Sequence, residues 1–131
     1  MSELQNPEGF VRWLRQVTPY VNAFRGRTFV VGFGGEMFTE RSRFVSFAHD
    51  VGLLAALGIR LVLVHGARPQ IEAELKARGV RSRYAQGLRI TDEAALVAVK
   101  EAVGVLRVEI EAVLSQGLPN SPMAGAEIRV A

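Results

Sequence analysis

Two short apolar segments constrain the fold of this 131-residue chain more than any other feature. Thr28–Phe33 and residues 59–64 are rich in β-branched and aromatic residues, which is typical of buried strands. Between them, apolar residues recur at helical spacing from Phe44 to Leu57, and Gly58 stands where a glycine commonly ends a helix. A strand, a helix and a second strand in this order predict two parallel strands joined by a crossover helix. The sequence therefore predicts an α/β protein with a mainly parallel sheet covered by helices on both faces.

The alternation of elements continues toward the C-terminus. Pro69 begins a short helix that Gly79 ends, and residues 80–90 are predicted to contain a short strand or a hairpin. Thr91 is a candidate N-cap for a long amphipathic helix that extends to about Gln116. Residues 127–130 have the composition of one more strand. This order is typical of a three-layer α/β/α sandwich.

A separate helical pattern precedes the first strand. Asn6 and Pro7 combine an N-cap with a proline at the first helical position, and an apolar stripe continues to Phe24. Pro19 removes a backbone donor inside this helix and predicts a kink. The stripe either packs on its own domain or docks on another subunit. We therefore expect a helical segment over residues 1–24 and an α/β domain over residues 25–131.

Composition and charge argue against several classes of protein. The chain has no cysteine, so it has no disulfide and no thiolate metal site, which suits the cytoplasm. Its N-terminus lacks the apolar core of a signal peptide, and no apolar run approaches the roughly 20 residues of a membrane span. The net charge of +3 comes from scattered arginines interleaved with acids, without an aromatic RNA-binding motif or zinc-finger spacing. We expect neither a membrane nor a nucleic-acid partner.

Glycine-rich turns follow both predicted strands, at residues 32–35 and 65–68. Because the carboxyl ends of parallel strands meet at one edge, the two turns should lie together where α/β sheets bind ligands. Glycine backbone can approach a phosphate or carboxylate closely, and the second turn leads into a helix N-terminus. Arg68 in that turn and Arg89 farther along could each fork onto a carboxylate. The pattern favours a site for an anionic small molecule.

Other chemistries lack their signatures. Met37 stands at the third glycine position of a dinucleotide fingerprint, and no lysine follows a glycine as a P-loop requires. No serine nucleophile elbow is present. His65 has only His49 as a fellow histidine and no carboxylate at ligand spacing, so a structural role in the turn is favoured over a catalytic or metal-binding one. We predict no catalytic residue and no metal site.

Three segments carry a resemblance to a known family: TFVVGFGGE at 28–36, LGIRLVLVHGARPQIEAEL at 57–75 and GLRITD at 87–92. They resemble the amino-acid kinase family and, within it, the N-terminal domain of the N-acetylglutamate synthases. The resemblance implies an acetylglutamate-kinase-like fold of which residues 25–131 are the first part. It also implies that the rest of this domain and an acetyltransferase domain lie outside the chain.

The departures from this family bear on chemistry. Its kinases place a lysine two residues before the glycine pair to hold the transferring phosphoryl group, and this chain has Gly32 there. Loss of a positioned cation removes transition-state stabilisation. Ala67 and Arg68 stand where the kinases have glycines, whereas Arg89 matches the residue that holds the substrate carboxylate. The resemblance thus implies a degenerate ligand pocket formed by Gly34, Gly35, Gly66, Ala67, Arg68 and Arg89.

The same resemblance implies a function. The synthases transfer acetyl from acetyl-CoA to L-glutamate in the first step of arginine biosynthesis, and their acetyltransferase domain carries the chemistry. Residues 1–131 would then be non-catalytic, bind no cofactor, and contribute to L-arginine sensing and homo-oligomer contacts, with Tyr20 as a candidate arginine contact. Two alternatives are an acetylglutamate kinase with a displaced lysine and a free-standing amino-acid-binding module.

Overall fold

The computed structural model describes residues 6–117, and the predicted strand at 127–130 lies outside them. The chain alternates helices and short strands in the predicted order. The elements are α1 (Pro7–Phe24), β1 (Thr28–Phe33), a 3₁₀ helix (Gly35–Phe38), α2 (Arg41–Ala56), β2 (Arg60–His65), α3 (Arg68–Ala77), β3 (Tyr84–Ala85), β4 (Leu88–Arg89) and α4 (Glu93–Gln116).

β1 and β2 form a parallel pair whose register runs from Thr28 opposite Arg60 to Phe33 opposite His65. This confirms the parallel sheet and brings the two glycine turns to one edge. β2 begins at Arg60 rather than at Ile59, because the Ile59 N–H still bonds back to the carbonyl oxygen of Leu54 at 3.2 Å.

β3 and β4 form a separate antiparallel hairpin between α3 and α4. Its two loop residues, Gln86 and Gly87, have φ of 50° and 78°. Positive φ at both positions is what a two-residue hairpin turn requires. The turn places Tyr84 opposite Arg89 across the two strands, so the side chains of these two residues are cross-strand neighbours.

Helices cover one face of the parallel pair. α2 and α4 bury their apolar stripes against Leu61 and Leu63 of β2. A second cluster joins α3 to α4 through Leu75, Ala95 and Ala98. The buried residues of the first cluster are Ala48, Val51, Ala67, Leu106, Ile110 and Leu114.

The opposite face of the pair is uncovered among residues 6–117. Val30 is 69% exposed, and Val62 and Val64 on the neighbouring strand are exposed as well; we call these three residues the valine face. Both strands alternate between exposed and half-buried positions. Within residues 6–117, helices therefore cover one face of the sheet, and not both faces as predicted for the whole domain. The physical reason is that α2, which connects the two strands, and α4 both pack on the side of the sheet that carries Leu61 and Leu63.

α1 is one helix that continues through Pro19. The Asn6 side chain accepts a hydrogen bond from the Glu8 N–H at 3.1 Å, as an N-cap does. No residue of α1 is buried, and Trp13 on its apolar stripe is 48% exposed. Its aromatic contact with the domain is Phe24, whose ring meets Phe29 edge-on at 5.4 Å.

The cap of α4 differs from the prediction by one residue. Asp92, not Thr91, takes the N-cap position, and its Oδ1 accepts from the Ala95 N–H at 3.0 Å. A carboxylate there also interacts with the positive end of the helix dipole, which a hydroxyl does not. Within residues 6–117, no helix has the length and hydrophobicity of a membrane span.

Candidate functional site

The two glycine turns pack directly on one another at the carboxyl ends of β1 and β2. The Gly66 N–H donates to the carbonyl oxygen of Phe33 at 2.8 Å. Gln70, in the first turn of α3, donates its side-chain amide to the carbonyl oxygen of Gly35 at 2.8 Å. The turns and the start of α3 therefore form one continuous backbone surface.

This packing accounts for two of the glycines without a ligand. A Cβ on Gly35 would lie 3.0 Å from the Ala67 Cα and 2.9 Å from the Pro69 Cδ. A Cβ on Gly66 would lie 3.3 Å from the Gly35 backbone nitrogen. Gly34 differs, because it is exposed and an added Cβ would meet only the mobile end of the Glu36 side chain. Of the three, Gly34 is the exposed one.

Gly32 occupies an open position. An added Cβ would have no heavy atom within 4 Å, and the residue is exposed on the same side of β1 as Val30. The two lysines of the chain, Lys76 and Lys100, lie in the last turn of α3 and in α4. Lys76 is separated from the glycine turns by nearly the whole length of α3, on the order of 12 Å at 1.5 Å per residue. Neither lysine is part of the turn in which a kinase would need its cation.

Arg68 and Arg89 meet at one aromatic ring. Their guanidinium carbons lie 5.3 Å and 5.1 Å from the centroid of Tyr84. Distances of this size are typical of cation–π contacts. Arg89 from β4 and Arg68 from the start of α3 therefore contact the same aromatic side chain.

The guanidinium of Arg89 is already paired with a carboxylate of this chain, that of Glu72. Its Nη2 donates to Oε1 of Glu72 at 2.6 Å, and its Nη1 donates to the Ser82 hydroxyl at 3.0 Å. The hydroxyls of Ser82 and Tyr84 also donate to the Glu72 carboxylate. These bonds, that of Ser82 foremost and then those of Tyr84 and Arg89, lower the pKa of the Glu72 carboxyl from 4.5 to about 2, although partial burial acts in the opposite direction.

Glu72 is not among the residues predicted from the sequence. Its partners follow ten, twelve and seventeen residues later and reach it only because the hairpin folds back onto α3. The one signal for Glu72 in the sequence is its position four residues after Arg68 on the same helix. Such pairs of opposite charge are common on exposed helix faces, so the spacing alone does not indicate a binding site.

The remaining candidates lie apart from this network. Tyr20 is 66% exposed on α1 and makes no hydrogen bond or ring contact within the described residues. His65 stays in the turn, with its Nδ1 3.3 Å from the carbonyl oxygen of Gly66 and its ring edge-on to Phe38. Across residues 6–117, no group of three or more His, Asp or Glu side chains is arranged to hold a metal ion.

A cavity of about 880 Å³ lies between β2, α2 and α4, and it extends to Phe33 at the end of β1. Apolar residues of α2, β2 and α4 line it, among them Val51, Leu61 and Ile110. None of the six predicted pocket residues contributes to its wall. We assign it to the open side of the core, and not to the candidate site.

Comparisons with known proteins bear on the origin of this arrangement. The model of the amino acid kinase family matches residues 27–131. An amino-acid acetyltransferase of Ralstonia nicotianae is 53% identical over 121 residues, which are 92% of this chain and 27% of the relative. One of Pseudomonas aeruginosa is 54% identical over 122 residues, 93% of this chain and 28% of the relative. The chain thus spans little more than a quarter of the length of these curated relatives.

A solved structure is similar as well. The crystal structure of N-acetylglutamate synthase from Neisseria gonorrhoeae complexed with coenzyme A and L-arginine matches with a TM-score of 0.70 and 38% identity, over 87% of this chain and 27% of that one. The same enzyme complexed with coenzyme A and N-acetyl-glutamate matches with a TM-score of 0.69 and 40% identity, over 80% of this chain and 24% of that one.

Proposed function

The chain belongs to the amino acid kinase family, and from that premise we propose that residues 1–131 are a non-catalytic, regulatory segment of an N-acetylglutamate synthase. The complete protein would transfer acetyl from acetyl-CoA to L-glutamate. The segment itself would bind no cofactor and would contribute to L-arginine sensing and to contacts between subunits. In this proposal residues 1–24 are the docking helix and residues 25–131 the first part of the kinase-like domain.

The proposal that this segment is non-catalytic rests on Gly32, which stands where the kinases have a lysine and has no side chain near it among residues 6–117. Phosphoryl transfer depends almost entirely on positioning and on fixed positive charge around the transferred group. Gly32 offers no charge, and both lysines of the chain lie outside the glycine turns. Arg68 is a cation near these turns, but it is stacked on Tyr84 instead of extending over them.

Similarity to named proteins supports the synthase part. Relatives more than half identical over nine-tenths of this chain are named amino-acid acetyltransferases. The Neisseria gonorrhoeae structure holds coenzyme A and L-arginine. In the proposed function, coenzyme A is the product that acetyl-CoA leaves after acetyl transfer, and L-arginine is the effector. Sequence identity at this level makes a shared activity of the whole protein the best-supported interpretation.

The regulatory part rests on exposed surface. The apolar stripe of α1 is exposed at Phe10, Trp13 and Leu14, which favours docking on another subunit over packing on its own domain. Tyr20 lies on this helix and would contact arginine only if a further part of the protein approached it. The degenerate pocket of Gly34, Gly35, Gly66, Ala67, Arg68 and Arg89 would be a vestige of the kinase substrate site.

Two assays of the intact gene product test the function. We expect acetyl transfer from acetyl-CoA to L-glutamate, with a rate that changes on addition of L-arginine, and no ATP-dependent phosphorylation of N-acetylglutamate. Phosphorylation at an ordinary enzymatic rate would support the kinase alternative instead. If the protein shows neither activity but binds an amino acid in calorimetry, it is a binding module.

A further inference from the structure

Donors from the hairpin region converge on one carboxylate beside α3. Oε1 of Glu72 accepts from Arg89 at 2.6 Å and from the Tyr84 hydroxyl, and Oε2 accepts from the Ser82 hydroxyl. Both oxygens are thus engaged by charged or hydroxyl donors. Donor sets of this kind also hold the carboxylate groups of ligands, because charge-assisted bonds to a guanidinium are strong and directional.

The donors and the acceptor differ in how firmly they are held. The Arg89 side chain is 13% exposed and is bonded to Ser82 at 3.0 Å, with its guanidinium over the Tyr84 ring. The Glu72 side chain is 40% exposed and reaches the donors from α3, on the solvent side. Rotation of Glu72 about its side-chain bonds would therefore vacate the position without moving Arg89. Arg68 contacts the same tyrosine ring and adds a second positive charge to this region.

We propose that Glu72 is an internal competitor that fills a carboxylate-binding position formed by Ser82, Tyr84 and Arg89, so that a small-molecule carboxylate binds there only when Glu72 swings out. This inference deepens the degenerate pocket proposed above, of which Arg89 is a member. Internal occupancy lowers the apparent affinity for a ligand by the fraction of molecules in which the position is free. The device would keep the position closed to carboxylates that it would otherwise bind.

Chemical rescue by acetate tests the proposal. Glu72→Ala leaves the donors in place and creates room for one acetate ion. Binding of acetate to the folded state raises the midpoint of thermal unfolding, by about 3–5 °C at an acetate concentration ten times the dissociation constant. Chloride at equal ionic strength corrects for general salt effects. The matched control is Glu74→Ala, which removes an ion pair with Arg78 on the same helix (2.7 Å) without exposing Arg89.

We expect acetate to stabilise the Glu72→Ala protein more than chloride does, and to stabilise the wild-type and Glu74→Ala proteins no more than chloride. The double variant Glu72→Ala/Arg89→Leu should lose the response. Equal effects of acetate and chloride on Glu72→Ala, or a response that persists in the double variant, would overturn the proposal.

A Glu72→Ala protein that is unfolded in chloride should refold as acetate is added, as judged by circular dichroism. Failure to refold would also overturn the proposal, provided that Glu72→Gln, which keeps the side-chain volume, is folded. The outcome is independent of the acetyl-transfer assay, because a protein that transfers acetyl normally can still show no acetate response. A failed proposal about Glu72 is therefore distinguishable from a failed proposal about the synthase.

Discussion

Substitution of Gly35 by alanine is expected to destabilise the domain because the added methyl group has no room where the two turns meet. Its Cβ would lie 3.0 Å from the Ala67 Cα and 2.9 Å from the Pro69 Cδ, and it would overlap the Gln70 side-chain oxygen. The first two atoms belong to the backbone and to a proline ring, so neither can rotate away. The strand ends must separate, or Gln70 must leave.

The expected cost follows from these two changes. Overpacking of this kind costs about 1–3 kcal/mol. Displacement of Gln70 breaks its 2.8 Å hydrogen bond to the Gly35 carbonyl oxygen, and a bond of this type contributes about 1 kcal/mol. A total loss of about 2–4 kcal/mol is a large share of the roughly 5–15 kcal/mol that stabilises a typical domain. The corresponding fall in unfolding midpoint is on the order of 10 °C.

Gly34→Ala is the matched control. Its Cβ would meet only the end of the Glu36 side chain, and its backbone, at φ −80° and ψ 162°, suits any residue. We expect no loss, or a gain of up to about 1 kcal/mol from the reduced freedom of the unfolded chain. Urea unfolding followed by far-ultraviolet circular dichroism measures both variants, and equal slopes would show that the midpoints compare stability directly.

Equal stability of the Gly35→Ala and Gly34→Ala proteins would refute the packing explanation. Gly35 would then have no structural reason to lack a side chain. Close approach of a ligand to its backbone would become the better explanation, and with it an intact anion site at the turn.

Three further predictions concern charge, chemistry and assembly. Because the pKa of Glu72 is lowered to about 2, its contribution to stability is complete above pH 4.5 and is lost as the pH falls toward 2. Urea unfolding should therefore show a smaller stability advantage of the wild type over Glu72→Gln at pH 3 than at pH 6, and an equal advantage at the two pH values would contradict this. Gly32→Lys should not create phosphorylation of N-acetylglutamate in an ATP-coupled assay, because Ala67 and Arg68 still occupy the neighbouring turn; robust turnover would show that the lysine alone was missing. Deletion of residues 7–24 should lower the number of subunits per particle measured by light scattering, whereas an unchanged number of subunits would mean that α1 only covers its own domain.

Local signals in the sequence predicted much of the fold. Asn6 and Pro7 fixed the start of α1, and the predicted bounds of β1 match the structure. Gly58 ends the helix before β2 with φ of 85°, a conformation that other residues rarely adopt. These signals act within a few residues of the position that they determine, so they can be detected in a single sequence.

Features that depend on distant contacts were not predictable in this way. The 3₁₀ helix from Gly35 to Phe38 is too short to show a hydrophobic period. The exposure of the valine face was not predictable, because its residues are as apolar as those of a covered face. The composition of a strand does not show on which side of the sheet the helices pack. Glu72 became part of the candidate site only through the fold of the hairpin, and the resemblance to kinases pointed to Arg89 without its internal partner.

Trp13 is the only tryptophan in the chain, and it lies on the apolar stripe of α1, away from the packed core. Its fluorescence will therefore shift toward shorter wavelengths when the stripe is covered, and it will report little when the sheet and its helices melt. Circular dichroism follows the melting of the helices instead. A protein in which α1 docks on a neighbour would show the two signals changing at different denaturant concentrations, so that one spectrometer separates dissociation from unfolding.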